Sequence, residues 1–214
     1  MWRVLFPRDG ATVRLFGNKF VASGTAPPGL DDTAIFVKLI RTSAGPAWER
    51  HGTLVHNAER GGRRRWVAFF DLTQGGWDPR AEYEVVIFHT PGNGNEDDKD
   101  RVALRLSATL DETREAAKAA PAGFLGVSLI YPPNGSTMSA AGFSAYGQLT
   151  APATSVANDG GRLTGGTNPR SSAGGTMGGG FWWVTFDAVA AGTYSLAVVA
   201  NDGSSSTPVT ITTA

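Results

Sequence analysis

The chain contains no cysteine. That excludes a disulfide framework, a thiol nucleophile and a cysteine-ligated zinc site. A domain of this size folds outside the cell without disulfides, so the lack does not choose a compartment. Long apolar runs are missing too: no stretch approaches the ~20 residues that a membrane helix needs. Three histidines occur, His51, His56 and His89. His51 and His56 are an odd number of positions apart, so a regular strand turns them to opposite faces. We read all three as surface residues. Neither Gly-x-Ser-x-Gly, a phosphate loop nor His-Glu-x-x-His is present. Gly92-Asn93-Gly94 starts like a dinucleotide loop but lacks the third glycine and a following helix.

Charge is scarce in one half only. Residues 1–108 hold 15 Lys and Arg against 13 Asp and Glu, whereas residues 124–214 hold only Arg162 and Arg170 against Asp159, Asp187 and Asp202. A net charge of zero gives no electrostatic footprint for nucleic acid or an anionic membrane. The surface of the second half must be Ser, Thr, Asn and Gly, which suits a secreted protein or a subunit packed in an assembly. The opening Met-Trp-Arg-Val-Leu-Phe-Pro has no basic region followed by an apolar stretch, so we expect no signal peptide in it.

What is present is a pattern written twice. Leu5-Phe6-Pro7-Arg8-Asp9-Gly10-Ala11-Thr12-Val13 is answered by Ile130-Tyr131-Pro132-Pro133-Asn134-Gly135-Ser136-Thr137-Met138. Further matches follow in order. Phe20 and Gly24 answer Phe143 and Gly147. Trp66-Val67-Ala68-Phe69-Phe70-Asp71 answers Trp182-Trp183-Val184-Thr185-Phe186-Asp187. Tyr83 answers Tyr194, and Val102-Ala103-Leu104 answers Val209-Thr210-Ile211. A repeat of about a hundred residues is a duplicated domain rather than a solenoid unit.

Short alternating apolar runs separated by Gly, Pro, Asn and Asp are an all-β signature. In the first domain, 1–108, they predict strands near 3–6, 12–16, 19–25, 34–41, 52–57, 65–72, 82–89 and 101–108. In the second, 124–214, they predict 126–131, 137–140, 143–150, 181–187, 193–200 and 207–213. The connector 109–123 is Ala-rich with charged residues, Asp111 in capping position and Pro121 as a stop. It reads either as a short helix or as a disordered linker. Residues 151–180 form a long Gly/Ser-rich loop that either conceals a weakly marked strand, near Ser155–Ala157 or Arg162–Thr164, or is ordered by a partner.

Trp77-x-Pro79-x-x-x-Tyr83 resembles the corner of fibronectin type III domains, in which a large apolar residue, a proline and a tyrosine open a strand. The second domain keeps Tyr194 and lacks the proline. Phe6-Pro7-x-x-Gly10 and Tyr131-Pro132-x-x-Gly135 resemble the openings of bacterial immunoglobulin-like domains. The resemblance implies two tandem seven-stranded antiparallel sandwiches, a tyrosine hydroxyl bonded to upstream backbone, and a binding or spacing role. It implies no chemistry.

Strand alternation puts Trp66, Ala68 and Phe70 on the core side, and Trp182, Val184 and Phe186 likewise. Phe181 and Trp183 then face away from the core. We expect them either as an exposed binding pair, for a sugar ring or another subunit, or packed beneath the 151–180 loop. Asn93 to Asp100 is either a calcium site using Asp97, Asp98 and Asp100 or a solvated acidic turn. Arg60-Gly61-Gly62-Arg63-Arg64-Arg65-Trp66 is the one basic cluster, and we read it as an exposed hairpin rather than a nucleic-acid grip. An unrecognised enzyme site would draw on Asp31, Asp32 or the acids at 96–100, and those loops show no convergent base or nucleophile. The leading expectation is a non-catalytic structural or interaction module of a bacterial surface, filament or phage-like assembly. Its partners would be other protein subunits, its own copies among them. A carbohydrate-binding module is the alternative.

Overall fold

The computed structural model describes residues 1–30, 34–60, 62–90, 97–110, 126–165, 170–172, 174–177 and 180–214. The chain divides into two compact units, Met1–Thr109 and Leu110–Ala214. The first contains β1 (Arg3–Phe6), β2 (Ala11–Phe16), β3 (Lys19–Ala26), β4 (Ile35–Arg41), β5 (Glu49–His51), β6 (Thr53–Arg60), β7 (Arg63–Asp71), β8 (Glu82–His89) and β9 (Asp97–Leu110), whose last residue crosses the boundary. One layer runs β1-β3-β7-β6 and the other β5-β4-β8-β9-β2. Among the described residues the two are joined at the pair Phe16↔Lys19. The chain turns there at Gly17 and Asn18, both at positive φ, 56° and 58°, the geometry of a two-residue hairpin.

The second unit contains β10 (Val127–Tyr131), β11 (Ser136–Met138), β12 (Gly142–Leu149), β13 (Val156–Thr164), β14 (Arg170–Ser172), β15 (Gly174–Thr176), β16 (Phe181–Asp187), β17 (Gly192–Ala200) and β18 (Val209–Thr213). Its sheets run β10-β12-β16-β15 and β11-β18-β17-β13-β14. Strand for strand this is the order of the first unit. Each is an all-β sandwich of the immunoglobulin-like and fibronectin type III-like kind. Seven antiparallel strands is corrected to nine in each unit among the described residues, with β11 running parallel to β18. The loop expected over 151–180 holds three strands, and the two suggested strand positions belong to one, β13, which bulges between Val156 and Gly161. The connector from Asp111 to Gly123 lies outside the described residues, and β9 extends to Leu110.

Alternation places the core as the residues dictate. In the first unit Phe20 and Ala22 of β3, Trp66, Ala68 and Phe70 of β7, Ile35, Val37 and Leu39 of β4, and Tyr83, Val85 and Ile87 of β8 are all buried. In the second, Phe143, Trp182, Val184, Phe186, Leu163, Tyr194, Leu196 and Val198 do the same. Burying a side chain of this size contributes ~1.5–3 kcal/mol, so these residues carry the stability of each unit.

Three joints recur at matching positions. The first is a glycine under a tryptophan. Gly24 pairs with Trp66 and Gly147 with Trp182. A Cβ on Gly24 would lie 2.0 Å from the Arg3 carbonyl oxygen and 2.4 Å from the indole; on Gly147 it would lie 2.0 Å from the Ser128 carbonyl oxygen and 2.6 Å from the indole. Only a residue without a side chain lets strand and ring approach so closely. Beside it Phe20 stacks on Phe70 at 4.9 Å, and Phe143 on Phe186 at 5.0 Å.

The second joint is the opening turn. The Gly10 amide donates to the Ala103 carbonyl, 2.7 Å, and the Ala103 amide donates to Asp9 Oδ1, 2.8 Å. The Gly135 amide donates to the Thr210 carbonyl, 2.7 Å, and the Thr210 amide donates to Asn134 Oδ1, 2.7 Å. Each turn is thereby clamped to the last strand of its unit. The third joint is the tyrosine corner: the Tyr83 hydroxyl donates to the Asp78 carbonyl, 3.0 Å, and the Tyr194 hydroxyl to the Ala190 carbonyl, 3.0 Å.

Candidate functional site

The site expected from the sequence is the side of β16 turned away from the core. Register brings its residues together: Tyr146 lies opposite Trp183, Gln148 opposite Phe181, and Ser144 opposite Thr185. A bulge between Leu129 and Tyr131 swings Tyr131 beside Tyr146. The rings form a row, with Tyr131 and Tyr146 stacked at 5.2 Å and Tyr146 and Phe181 at 5.6 Å. Ser144 and Thr185 bond through their hydroxyls at 3.0 Å. The indole of Trp183 lies over β15, where a Cβ on Gly175 would come within 2.7 Å of it.

This face is closed. Phe181 is 1 % exposed, Trp183 4 % and Tyr146 0 %. The exposed aromatic pair is therefore corrected. Alternation assigned Phe181 and Trp183 to the outward side, and both rings are nevertheless shut from solvent. A sugar ring needs an open aromatic surface, and these two residues do not offer one. Tyr131 is half-buried, and this burial pushes its phenol up to about 12, because the ionised form would lose hydration. Tyr131 and Tyr146 were missed as members of the row. Tyr146 was legible from the outward alternation of β12, whereas Tyr131 depends on a bulge that no alternation marks. The first unit repeats the arrangement with other residues: Val21, Ser23, Val67 and Phe69 face outward on β3 and β7 and are buried.

The acidic candidates do not form a turn. Asp97, Asp98 and Asp100 open β9 and pair with β8, Asp98 opposite Phe88 and Asp100 opposite Ile87. Each carboxylate has a different partner. Asp97 meets the Lys99 ammonium at 3.1 Å, Asp98 the Arg101 guanidinium, and Asp100 accepts the Val4 amide at 2.7 Å. Among the described residues no three His, Asp or Glu converge to hold a metal ion. Asp31, Asp32 and the glycine-rich part of that stretch, Asn93 to Glu96, lie outside the described residues.

The basic cluster is the β6–β7 hairpin, where Glu59 lies opposite Arg64 and Arg60 opposite Arg63. Arg64 is buried and meets Glu59 at 3.5 Å, and Glu59 also accepts the Gly29 amide. His51 is exposed beside Glu49 at 3.5 Å, and His89 packs on Trp2 at 5.4 Å. The His56 side chain lies outside the described residues. Asp71 and Asp202 each fold back on a hydroxyl residue two positions on. Asp71 Oδ1 accepts from the Thr73 amide and hydroxyl, and Asp202 Oδ1 from those of Ser204. These are turn locks, not reacting groups. No helix among the described residues is long and apolar enough to cross a membrane.

No protein-family model matches the chain, and no curated protein sequence does. Solved structures similar to it include the fibronectin(III)-like modules of Clostridium thermocellum CbhA, at 8% identity over 99% of this chain and 92% of that one, with a TM-score of 0.25. A chimeric titin Z1Z2-Z1Z2 tandem is 14% identical over 99% of this chain and 98% of that one, with a TM-score of 0.24. The ICAM-5 D1–D4 ectodomain fragment is 18% identical over 99% of this chain and 53% of that one, with a TM-score of 0.25. Scores of this size carry no argument on their own. The fold class rests on the strand order and the three joints described above.

Proposed function

We propose that this chain is a non-catalytic structural or interaction module, a pair of sandwiches acting as packed spacers in a bacterial surface, filament or phage-like assembly. One observation carries the reading. The β10-β12-β16 sheet is apolar on both sides: Trp182, Val184 and Phe186 face the core, and Tyr146, Phe181 and Trp183 face outward. The β3–β7 pair is built the same way, with Val21, Val67 and Phe69 outward. A sheet meant to meet water on one side alternates apolar with polar residues. Both sides are buried within this chain, so the sheet is an inner structural layer rather than an open ligand surface, which favours a structural module over a sugar-binding one. The charges add support, because those nearest the candidate sites are engaged in turns, ladders and backbone clamps.

The partners are other protein subunits, copies of this chain included. The test is sedimentation of the purified protein at rising concentration, together with capture of components from its source using immobilised protein. Self-association, or recovery of one defined structural component, supports the proposal. A chain that stays monomeric at high concentration and retains nothing defeats it.

A further inference from the structure

We propose that Asn134 is a site of spontaneous deamidation, and that pairing of β18 controls its rate. The inference goes beyond the functional reading and does not depend on it. Asn134-Gly135 sits in an exposed turn. Gly135 has no side chain to shield its backbone nitrogen. In an open chain that nitrogen attacks the Asn134 carboxamide carbon. A carbon–nitrogen bond forms, the carboxamide carbon–nitrogen bond breaks, and ammonia leaves a five-membered succinimide. Water then opens the ring at either carbonyl to give Asp or isoaspartate at position 134. Water is the only co-reactant.

The folded turn holds both reacting groups apart. The Gly135 amide hydrogen is committed to the Thr210 carbonyl at 2.7 Å, and the Asn134 carboxamide oxygen accepts the Thr210 amide at 2.7 Å. One residue of β18 thus ties down nucleophile and electrophile together. Reaction requires Thr210 to leave, so the modification rate equals the intrinsic rate multiplied by the fraction of time β18 is open. The first unit shows what the direct product does. Asp9-Gly10 occupies the matching turn, and Asp9 Oδ1 accepts the Ala103 amide at 2.8 Å. Aspartate at 134 therefore keeps the clamp. Isoaspartate, which adds a methylene to the main chain, does not.

The experiment follows the mass gain at the peptide carrying Asn134 during incubation of the full chain in mildly alkaline buffer, folded and in urea. The folded protein is expected to react at least ~100-fold more slowly than the unfolded one, an opening free energy of about 2.7 kcal/mol. Thr210→Pro removes the amide that holds the carboxamide and is expected to speed the folded reaction at least ~10-fold. If that variant does not fold, hydrogen exchange of the Gly135 amide in the native protein replaces it. Exchange and deamidation must then rise in step as urea is added below the unfolding transition. Equal rates in folded and unfolded chains, no modification at Asn134 in either state, or exchange and deamidation that change independently would overturn the proposal.

Discussion

The two units share a strand order and differ in almost everything on their surfaces. The first ties neighbouring strands with ions: Arg101 to Glu84 at 2.9 Å, Arg105 to Glu82 at 2.5 Å, Lys38 to Glu49 at 3.9 Å. The ammonium of Lys38 also sits over the Phe88 ring at 5.0 Å. The second has two arginines in all of residues 124–214, and its register sets Thr193 opposite Thr212 where the first sets Glu82 opposite Arg105. Exposed ion pairs contribute ~0–1 kcal/mol each, so the exchange costs little. What both units keep is the set of joints: glycine under tryptophan, turn clamped to the last strand, tyrosine bonded to upstream backbone. The difference teaches that the joints specify this fold and that the charges decorate it.

The joints can be broken pairwise. Gly24→Ala and Gly147→Ala each force a Cβ into a carbonyl oxygen 2.0 Å away, and each is expected to cost about 3 kcal/mol or more. Denaturant unfolding of the two variants measures this, and a silent substitution at either site would break the equivalence. The next effect is unequal. Trp182 Nε1 donates to the Ser128 carbonyl at 3.1 Å, whereas Trp66 Nε1 is buried with no partner among the described residues. Trp182→Phe removes a hydrogen bond that is made, whereas Trp66→Phe removes a donor with no partner among the described residues. The first should cost ~1–2 kcal/mol more than the second, as thermal unfolding would report.

Smaller still is the difference at the corners. The Tyr83 hydroxyl both donates to the Asp78 carbonyl and accepts the Asp78 amide at 2.6 Å, while among the described residues the Tyr194 hydroxyl donates to the Ala190 carbonyl and accepts nothing there. Tyr83→Phe is expected to exceed Tyr194→Phe by ~0.5–1 kcal/mol.

The smallest effect is with acid. Burial alone would raise the Asp71 carboxyl. The Thr73 hydroxyl and amide, with Lys19 and Arg50 nearby, outweigh it and hold the group below its ordinary 3.8. The Ser204 hydroxyl and amide lower Asp202 in the same direction. A depressed folded-state value gives stability that is present above 3.8 and lost as pH falls through the lower value. Thr73→Ala and Ser204→Ala should move each carboxyl titration back upward, as read by nuclear magnetic resonance of the side chains.

Legibility followed signal strength. The paired turns, both tryptophans and both tyrosines were readable because each joint needs one residue type at one spacing. The reading went furthest at Ala103 and Thr210: the sequence match aligns them, and the structure bonds them to Asp9 and Asn134 in the same way. β5 escaped because Glu49-Arg50-His51 is three polar residues with no alternation. β14 and β15 escaped, and β13 was marked only by two short fragments, because Gly, Ser, Thr and Asn dominate them and β13 offers few apolar anchors besides Val156 and Leu163. Asp97 to Asp100 resembled a turn. They belong to a strand because β9 has 14 residues against 6 in β2, and its acidic start runs on alongside β8. Phe181 and Trp183 show the limit of alternation, which tells which way a side chain points and not whether water reaches it.

The central claim is that each half closes the same sandwich around the same joints. Cross-strand nuclear Overhauser contacts test it most directly, at Gly24 with Trp66 and at Gly147 with Trp182. The account predicts both contacts at matching intensity within one sample. One contact without the other, or either glycine instead facing a strand of the opposite half, would contradict it.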